Sequence, residues 1–252
     1  MENQTPYYLF FDYDGTVRIE DTVPEENVRA MRAAQSMGHK LILNTGRAYG
    51  GYLPRLATDA HIPWDYMIFA GADIRQGERV LYRQLIPAER FWEWVQYAHR
   101  HQYRIVYGGE KDLISYDFKN QPSFFGEHLY TEILKLQAEN PQTKFLIHAR
   151  LDRSDMPKDD LTVIQMKTYA DIFPAGCDKG SAVRRLCELT GASLSQCVCF
   201  GDSENDIDMF RVCPTGVCMK DSPKDLSNLA TYQATEKYGV AEGLHWLLER
   251  NS

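Results

Sequence analysis

The sequence predicts an α/β fold: a Rossmann-like parallel sheet core with an inserted small α+β domain. Two patterns predict it. Short apolar runs end in polar, glycine-containing sequence at Tyr7–Phe11 into Asp12, Leu41–Leu43 into Asn44-Thr45-Gly46-Arg47, and Cys197–Phe200 into Gly201-Asp202-Ser203-Glu204-Asn205-Asp206. A helix-like stretch follows each, as parallel βα units require. Between about residues 82 and 167 this rhythm gives way to helices beside hairpin-like strands, the mark of a separate small domain. The length of 252 residues and a hydrophobic content of 44% allow two cores.

The first strand is the most informative. Tyr7–Thr16 reads YYLFFDYDGT, a continuous apolar run that suits a strand buried on both faces. Side chains alternate along a strand, so Asp12 and Asp14 leave on one side and Tyr13 on the other. Gly15 lets the chain turn sharply. Sites in open α/β sheets lie beyond the carboxyl ends of the strands, and two acids there suit a hard metal ion, a nucleophile with an acid/base, or both. An ordinary Asp-Gly turn and half of a calcium loop are the competing readings; the calcium loop fits poorly, because Gly15 comes too early.

Residues 24–38 read as a helix opened by Pro24 and closed by Gly38. Strand His39–Asn44 and a helix over 46–60 follow. Met67–Phe69 into Ala70-Gly71-Ala72 and Gly216–Met219 into Lys220-Asp221-Ser222 read as further strands of the same sheet. In the insert, Glu89–His101 carries Phe91, Trp94, Val95 and Ala98 on one face. Tyr103–Tyr107 and Leu113–Phe118 read as strands about a Gly108–Asp112 turn. Glu127–Ala138 reads as a helix, and Lys144–Ala149 and Leu161–Met166 as strands across a polar loop. Gly180–Leu189 and Ala241–Leu248 are helices of the returning core. The domains are therefore 1–81 with 168–252, and 82–167.

Composition excludes some functions. The net charge is -7 and no basic block stands out, which argues against a nucleic-acid binder. No run approaches the ~18 apolar residues of a membrane span, and no secretory signal is apparent. The six cysteines lie between Cys177 and Cys218 without metal-binding spacing, and read as buried free thiols of a cytoplasmic protein.

DYDGT, NTGR, Lys179 in DKGSA and GDSENDIDMF resemble the four ordered motifs of the haloacid dehalogenase superfamily of phosphatases, in its Cof-type branch. The resemblance covers residues 7–80 and 168–245. It implies an α/β cap inserted between the second and third motifs and covering the site. It implies that Asp12 attacks phosphorus to form an aspartyl phosphate, and that Asp14 protonates the leaving group and then activates water. An anionic nucleophile facing an anionic phosphate needs a cation between them, and hard oxygen donors favour Mg²⁺. The implied metal residues are Asp12, the Asp14 backbone carbonyl, Asp202 and Asp206, the last through bound water or another ligand.

For substrate binding, Thr45 and Gly46 offer a hydroxyl and a backbone N–H at a strand end. Lys179 stands at a helix start, a poor place for a cation unless an anion is near. Asn205 donates to phosphate or orients Lys179. Arg47 supports the site or makes a structural salt bridge, and Asp178 caps a helix. Two positions depart from the branch: Ala70 replaces an Asn, and Asp221-Ser222 replaces Asn-Ala. Trp94 belongs to the cap core and Trp92 to its partial surface. The expected activity is Mg²⁺-dependent hydrolysis of a small phosphorylated metabolite, such as a sugar phosphate, by a monomer or homodimer. A phosphomutase and a non-enzymatic phosphoacceptor or ligand sensor are the alternatives.

Overall fold

The computed structural model describes residues 5–50, 62–109, 113–121, 125–158 and 160–250. The chain forms two compact units: Met1–Gly46, Arg55–Tyr82 and Asp178–Ser252; and Arg47–Pro54 with Arg83–Cys177. Its strands in chain order are β1 (Tyr8–Phe11), β2 (Lys40–Thr45), β3 (Tyr66–Phe69), β4 (Asp73–Gln76), β5 (Arg79–Arg83), β6 (Arg104–Gly109), β7 (Leu113–Asp117), β8 (Gln142–Ile147), β9 (Thr162–Gln165), β10 (Ala170–Phe173), β11 (Cys197–Gly201), β12 (Thr215–Cys218) and β13 (Tyr232–Gln233).

The larger unit holds one sheet in the order β13-β12-β11-β1-β2-β3-β4-β5. The strands from β13 to β3 are parallel, and β4 runs antiparallel to β3. From β1 the chain moves outward through β2 and β3, then returns to build β11, β12 and β13 on the other flank. The strand order therefore reverses at β1, where α/β sheets open a crevice at their carboxyl edge.

Burial on both faces explains the unbroken apolar run of β1. Phe10 packs with Ile42 and Cys199 against Ala182, Val183 and Leu186 of helix Lys179–Thr190 and Met209 of helix Ile207–Val212. Leu9 and Phe11 are buried on the opposite face, where the Phe11 and Phe200 rings stack at 4.6 Å. Helix Gly239–Glu249 reaches that face through Gly243: a Cβ there would lie 2.5 Å from Val217 Cγ1 and 3.0 Å from Phe200 Cε1. Buried Asn27 of helix Glu25–Ser36 accepts from Ala241 N at 3.1 Å and donates to Val17 O at 3.3 Å, tying both helices to the loop after β1. All six cysteines are buried free thiols.

The smaller unit is an antiparallel sheet in the order β7-β6-β8-β10-β9, with helices Ala88–Arg100 and Glu127–Glu139. Phe91, Trp94, Val95 and Ala98 join Ile105, Phe145 and Ile147 in its core, and partly buried Trp92 stacks on Phe125 at 5.3 Å.

Four details differ from the sequence reading. Strands β8 and β9 do not pair, because β10 lies between them, antiparallel to both. That strand reads Ala-Asp-Ile-Phe and is wholly buried, so by pattern alone it resembles a core strand; its pairing extends the smaller unit to Cys177. Strands β4 and β5 extend the large sheet beyond β3, with Gly77 between them at φ +58°. Their half-polar sequences hide them from an apolar-run criterion. The helix read over 46–60 does not begin at Gly46, since residues 46–50 are non-helical, and its remainder lies outside the described residues, as does the tip of the Gly108–Asp112 turn.

Gly243→Ala should lower the unfolding free energy by about 1–3 kcal/mol, because overpacking against Val217 and Phe200 outweighs a helix-propensity gain of about 1 kcal/mol. Denaturant titration checks this; a variant more stable than the parent would refute the close approach.

Candidate active site

Asp12 follows directly from β1, and its backbone N–H donates to Phe200 O at 2.9 Å, locking it beside the end of β11. The chain then folds into a tight loop in which Arg18 N donates to Tyr13 O at 2.7 Å and Gly15 N to Arg18 O at 2.8 Å. Gly15 has φ +87°, and a Cβ there would lie 2.3 Å from Asp202 Oδ2. Both the backbone angle and the space demand glycine. The next residue, buried Thr16, donates its hydroxyl to Asp202 Oδ1 at 3.0 Å. The DYDGT segment thus supplies Asp12 and also seats Asp202.

The loop after β11 is folded around Asp206. One of its carboxylate oxygens accepts from the backbone N–H groups of Asp202 and Ser203 at 2.9 and 3.1 Å. A Cβ on Gly201 would stand 2.6 Å from the Asp206 Cγ. The other oxygen accepts from Lys179 Nζ at 2.5 Å, and the same ammonium donates to Asp12 Oδ1 at 2.5 Å. Lys179 and Asp12 are each 4% exposed and Asp206 is fully buried.

Lys179 is held from its own helix. Asp178 caps helix Lys179–Thr190 by accepting from Ser181 N at 2.6 Å, and Ser181 Oγ accepts from Asp178 N at 2.9 Å. Asn44 of β2 donates to Lys179 O at 3.1 Å, joining the second motif to the third. A Cβ on Gly180 would lie 2.4 Å from Asp208 O, so glycine lets this helix approach helix Ile207–Val212. Ser203 Oγ donates to Asn205 Oδ1 at 3.1 Å, and the Asn205 amide nitrogen stands 3.2 Å from where a Gly46 Cβ would be. Thr45 is buried at the end of β2, next to β1.

Asp12, Lys179, Asp202 and Asp206 are therefore brought together, with Asn205 beside Gly46. The Asp14 carboxylate accepts from Arg18 Nη1 at 3.0 Å, and Arg18 also pairs with Asp21 at 2.8 Å. The roles of Thr16, Asn44 and Ser203 are absent from the sequence reading. All three stand inside the recognised motifs, but only the partners that the fold brings to them reveal what they do.

Three carboxylates face one ammonium. Burial pushes the Asp12 carboxyl well above the usual range against the pull of Lys179, and Asp206 and Asp202 add to the rise. Asp202 is pushed up to about 6, by burial and then by Asp206. Burial alone would lower the Lys179 ammonium, but Asp12 and Asp206 outweigh it and hold it charged. One ligand oxygen from each of Asp12, Asp202 and Asp206 falls within 4.8 Å of the others. Crowded hard oxygen donors with excess negative charge fit a divalent cation such as Mg²⁺, which would reverse the upward shifts. Asp12 and Asp202 are the better direct ligands, since both oxygens of Asp206 already accept from protein groups.

This charge excess has a cost in stability. The folded Asp202 value of about 6 exceeds the ordinary 3.8, so folding disfavours its charged form. Its contribution to stability is intact below about pH 4 and is lost as pH rises towards 6. Asp202→Asn should therefore stabilise metal-stripped protein at pH 7, by about 1–2 kcal/mol after allowance for solvent access. It should also abolish the rise in melting temperature produced by Mg²⁺ in the parent. A metal-stripped variant less stable than its parent would contradict this balance.

Comparison with known proteins agrees with the geometry. The family model for haloacid dehalogenase-like hydrolases matches residues 9–244. The 5-amino-6-(5-phospho-D-ribitylamino)uracil phosphatase YitU of Bacillus subtilis is 22% identical over 265 residues, covering 95% of this chain and 96% of that protein. The structure of BT1666 from Bacteroides thetaiotaomicron, a phosphatase of the same superfamily, superposes with a TM-score of 0.81 at 19% identity, covering 96% of this chain and 94% of that one. The subclass IIB sugar phosphatase BT4131 superposes with a TM-score of 0.77 at 19% identity, covering 96% and 98%. The chain belongs to the haloacid dehalogenase-like hydrolase family, in its Cof-type branch.

Proposed function

We propose that this protein is a Mg²⁺-dependent phosphatase that hydrolyses a small phosphorylated metabolite through an aspartyl phosphate on Asp12. The observation that carries the reading is the Lys179 ammonium, 2.5 Å from both Asp12 and Asp206, at the carboxyl edge of a sheet whose strand order reverses there. A buried cation between carboxylates from distant motifs suits a site that must gather negative charge. The names of relatives point the same way, since YitU and BT4131 are named as phosphatases of a phosphorylated ribitylaminouracil and of sugars.

In this reading Asp12 supplies the attacking oxygen, because it is directly anchored at the end of β1 and packed in place by the Phe200 carbonyl bond. Lys179 screens Asp12 and holds the phosphoryl oxygens as their charge shifts. Thr45, the Gly46 N–H and the Asn205 amide offer further donors to those oxygens. Asp12, the Asp14 carbonyl and Asp202, with Asp206 behind them, would hold Mg²⁺, which would supply charge neutralisation between nucleophile and phosphate. Asp14 exchanges Arg18 for the leaving-group oxygen, delivers a proton to it, and recovers one from the water that cleaves the aspartyl phosphate. The Arg83–Cys177 unit selects the substrate.

The protein acts in the cytoplasm in this account, as six free thiols suit a reducing compartment. Among the described residues no helix is long and apolar enough to cross a membrane.

Asp12→Asn should lower kcat by about 10⁴-fold or more while the protein remains folded, since an amide cannot replace the nucleophile. Near-parental turnover of a small aryl phosphate by the purified variant would sink the assignment. Activity should vanish with chelator and return with Mg²⁺ but not with Ca²⁺, whose looser coordination spoils in-line geometry; full turnover by metal-stripped protein would contradict this. Inorganic phosphate, and no isomerised sugar phosphate, should be the product, which separates a phosphatase from a mutase.

A further inference from the structure

The smaller unit carries a cavity of about 460 Å³ whose lining uses none of the residues assigned above. One wall is the end of helix Ala88–Arg100 and the start of β6, with His101, Tyr103 and Arg104; the other holds Asp117, Lys119 and His148. The chain as a whole has a net charge of -7, yet this hollow gathers a guanidinium and an ammonium beside one carboxylate. Burial, and then the charge of Arg104, holds the His148 imidazole below its usual range, so it faces the hollow as a neutral group.

The single carboxylate is already engaged. Asp117 accepts from Asn120 Nδ2 at 2.7 Å and from Asn120 N at 3.3 Å. Arg104 is fixed through Nε, which donates to Ser115 Oγ at 2.8 Å, and no described residue accepts from its two terminal nitrogens. Lys119 likewise forms no ion pair among the described residues. His148 is brought beside Arg104 by its backbone N–H, which donates to Arg104 O at 2.9 Å. His101 is pinned by Asp155 at 2.7 Å and stacked on Tyr103 at 5.3 Å, giving the hollow a rigid side. Asp117 stands across the β6–β7 pair from Arg104 and feels its charge, but accepts no hydrogen bond from it. A guanidinium oriented through Nε, its terminal nitrogens bonded to no described residue and lining one hollow with the Lys119 ammonium, matches a tetrahedral oxyanion.

We propose that this cavity binds a small phosphate-bearing anion, held by Arg104 and Lys119 with His148 at the rim. The phosphate could come free or as part of an organic metabolite. The test is NMR of the full-length protein, following the Arg104 Nε–H and His148 imidazole signals. Inorganic phosphate and methylphosphonate are the probes, with chloride at equal ionic strength as control. Both probes should produce saturable shifts that chloride does not, and the tighter of the two identifies the source. Lys119→Ala should weaken binding by about tenfold, the loss of one charge-assisted contact. Arg104→Ala should abolish the His148 response, and neither change should alter hydrolysis of an aryl phosphate. Shifts that grow equally with chloride, or a saturable His148 response that survives both substitutions, would overturn the proposal.

Discussion

The ammonium of Lys179, between Asp12 and Asp206, is the interaction on which the rest of the site depends. It joins three segments far apart in sequence: the end of β1, the start of helix Lys179–Thr190 and the loop after β11. Removing the cation would leave three crowded carboxylates in a dry place, where uncompensated charge is costly. Even with it, Asp12 and Asp202 are held above their usual range by burial and by one another. The site therefore carries an excess of negative charge that favours a bound dication, at the expense of stability when none is present.

Such crowding needs backbone in close approach, and glycine provides it. Gly15 makes room for the Asp202 carboxylate, Gly201 for Asp206 and Gly180 for the Asp208 carbonyl. A second set of polar groups fixes the charged ones. Thr16 holds Asp202, Asn44 holds the backbone of Lys179, the amides of Asp202 and Ser203 hold Asp206, and Ser203 holds Asn205. Asp14 lies on the loop after β1, where its carboxylate pairs with Arg18 and is more exposed than that of Asp12. A group that must exchange partners during a reaction is well placed on a segment less tightly packed than the nucleophile.

Much of this was legible in the chain. The run of Tyr7–Phe11 marks a strand buried on both faces, and the acids after it mark a carboxyl edge. The ordered motifs mark the family. What stayed hidden depends on pairing. Strand β10 resembles a core strand because it is short and buried with three apolar residues around Asp171, and only its antiparallel neighbours β8 and β9 assign it to the smaller sheet. Strands β4 (DIRQ) and β5 (RVLYR) at the margin of the large sheet show neither an unbroken apolar run nor a polar/apolar alternation, so periodicity there is weak. Thr16 and Asn44 stood in recognised motifs, but their roles rest on partners 186 and 135 residues away. Local sequence cannot show such contacts.

The central claim is that the carboxylate at the end of β1 becomes phosphorylated, and it can be observed directly. Protein turning over a small aryl phosphate with Mg²⁺ would be acid-quenched and reduced with borohydride, which converts an acyl phosphate to an alcohol. Peptide mass spectrometry would then locate the converted side chain. The account predicts conversion at Asp12 alone, dependent on substrate and absent from protein quenched without it. Conversion at Asp14, Asp202 or Asp206 instead, or turnover with no trapped residue at any quench time, would contradict it.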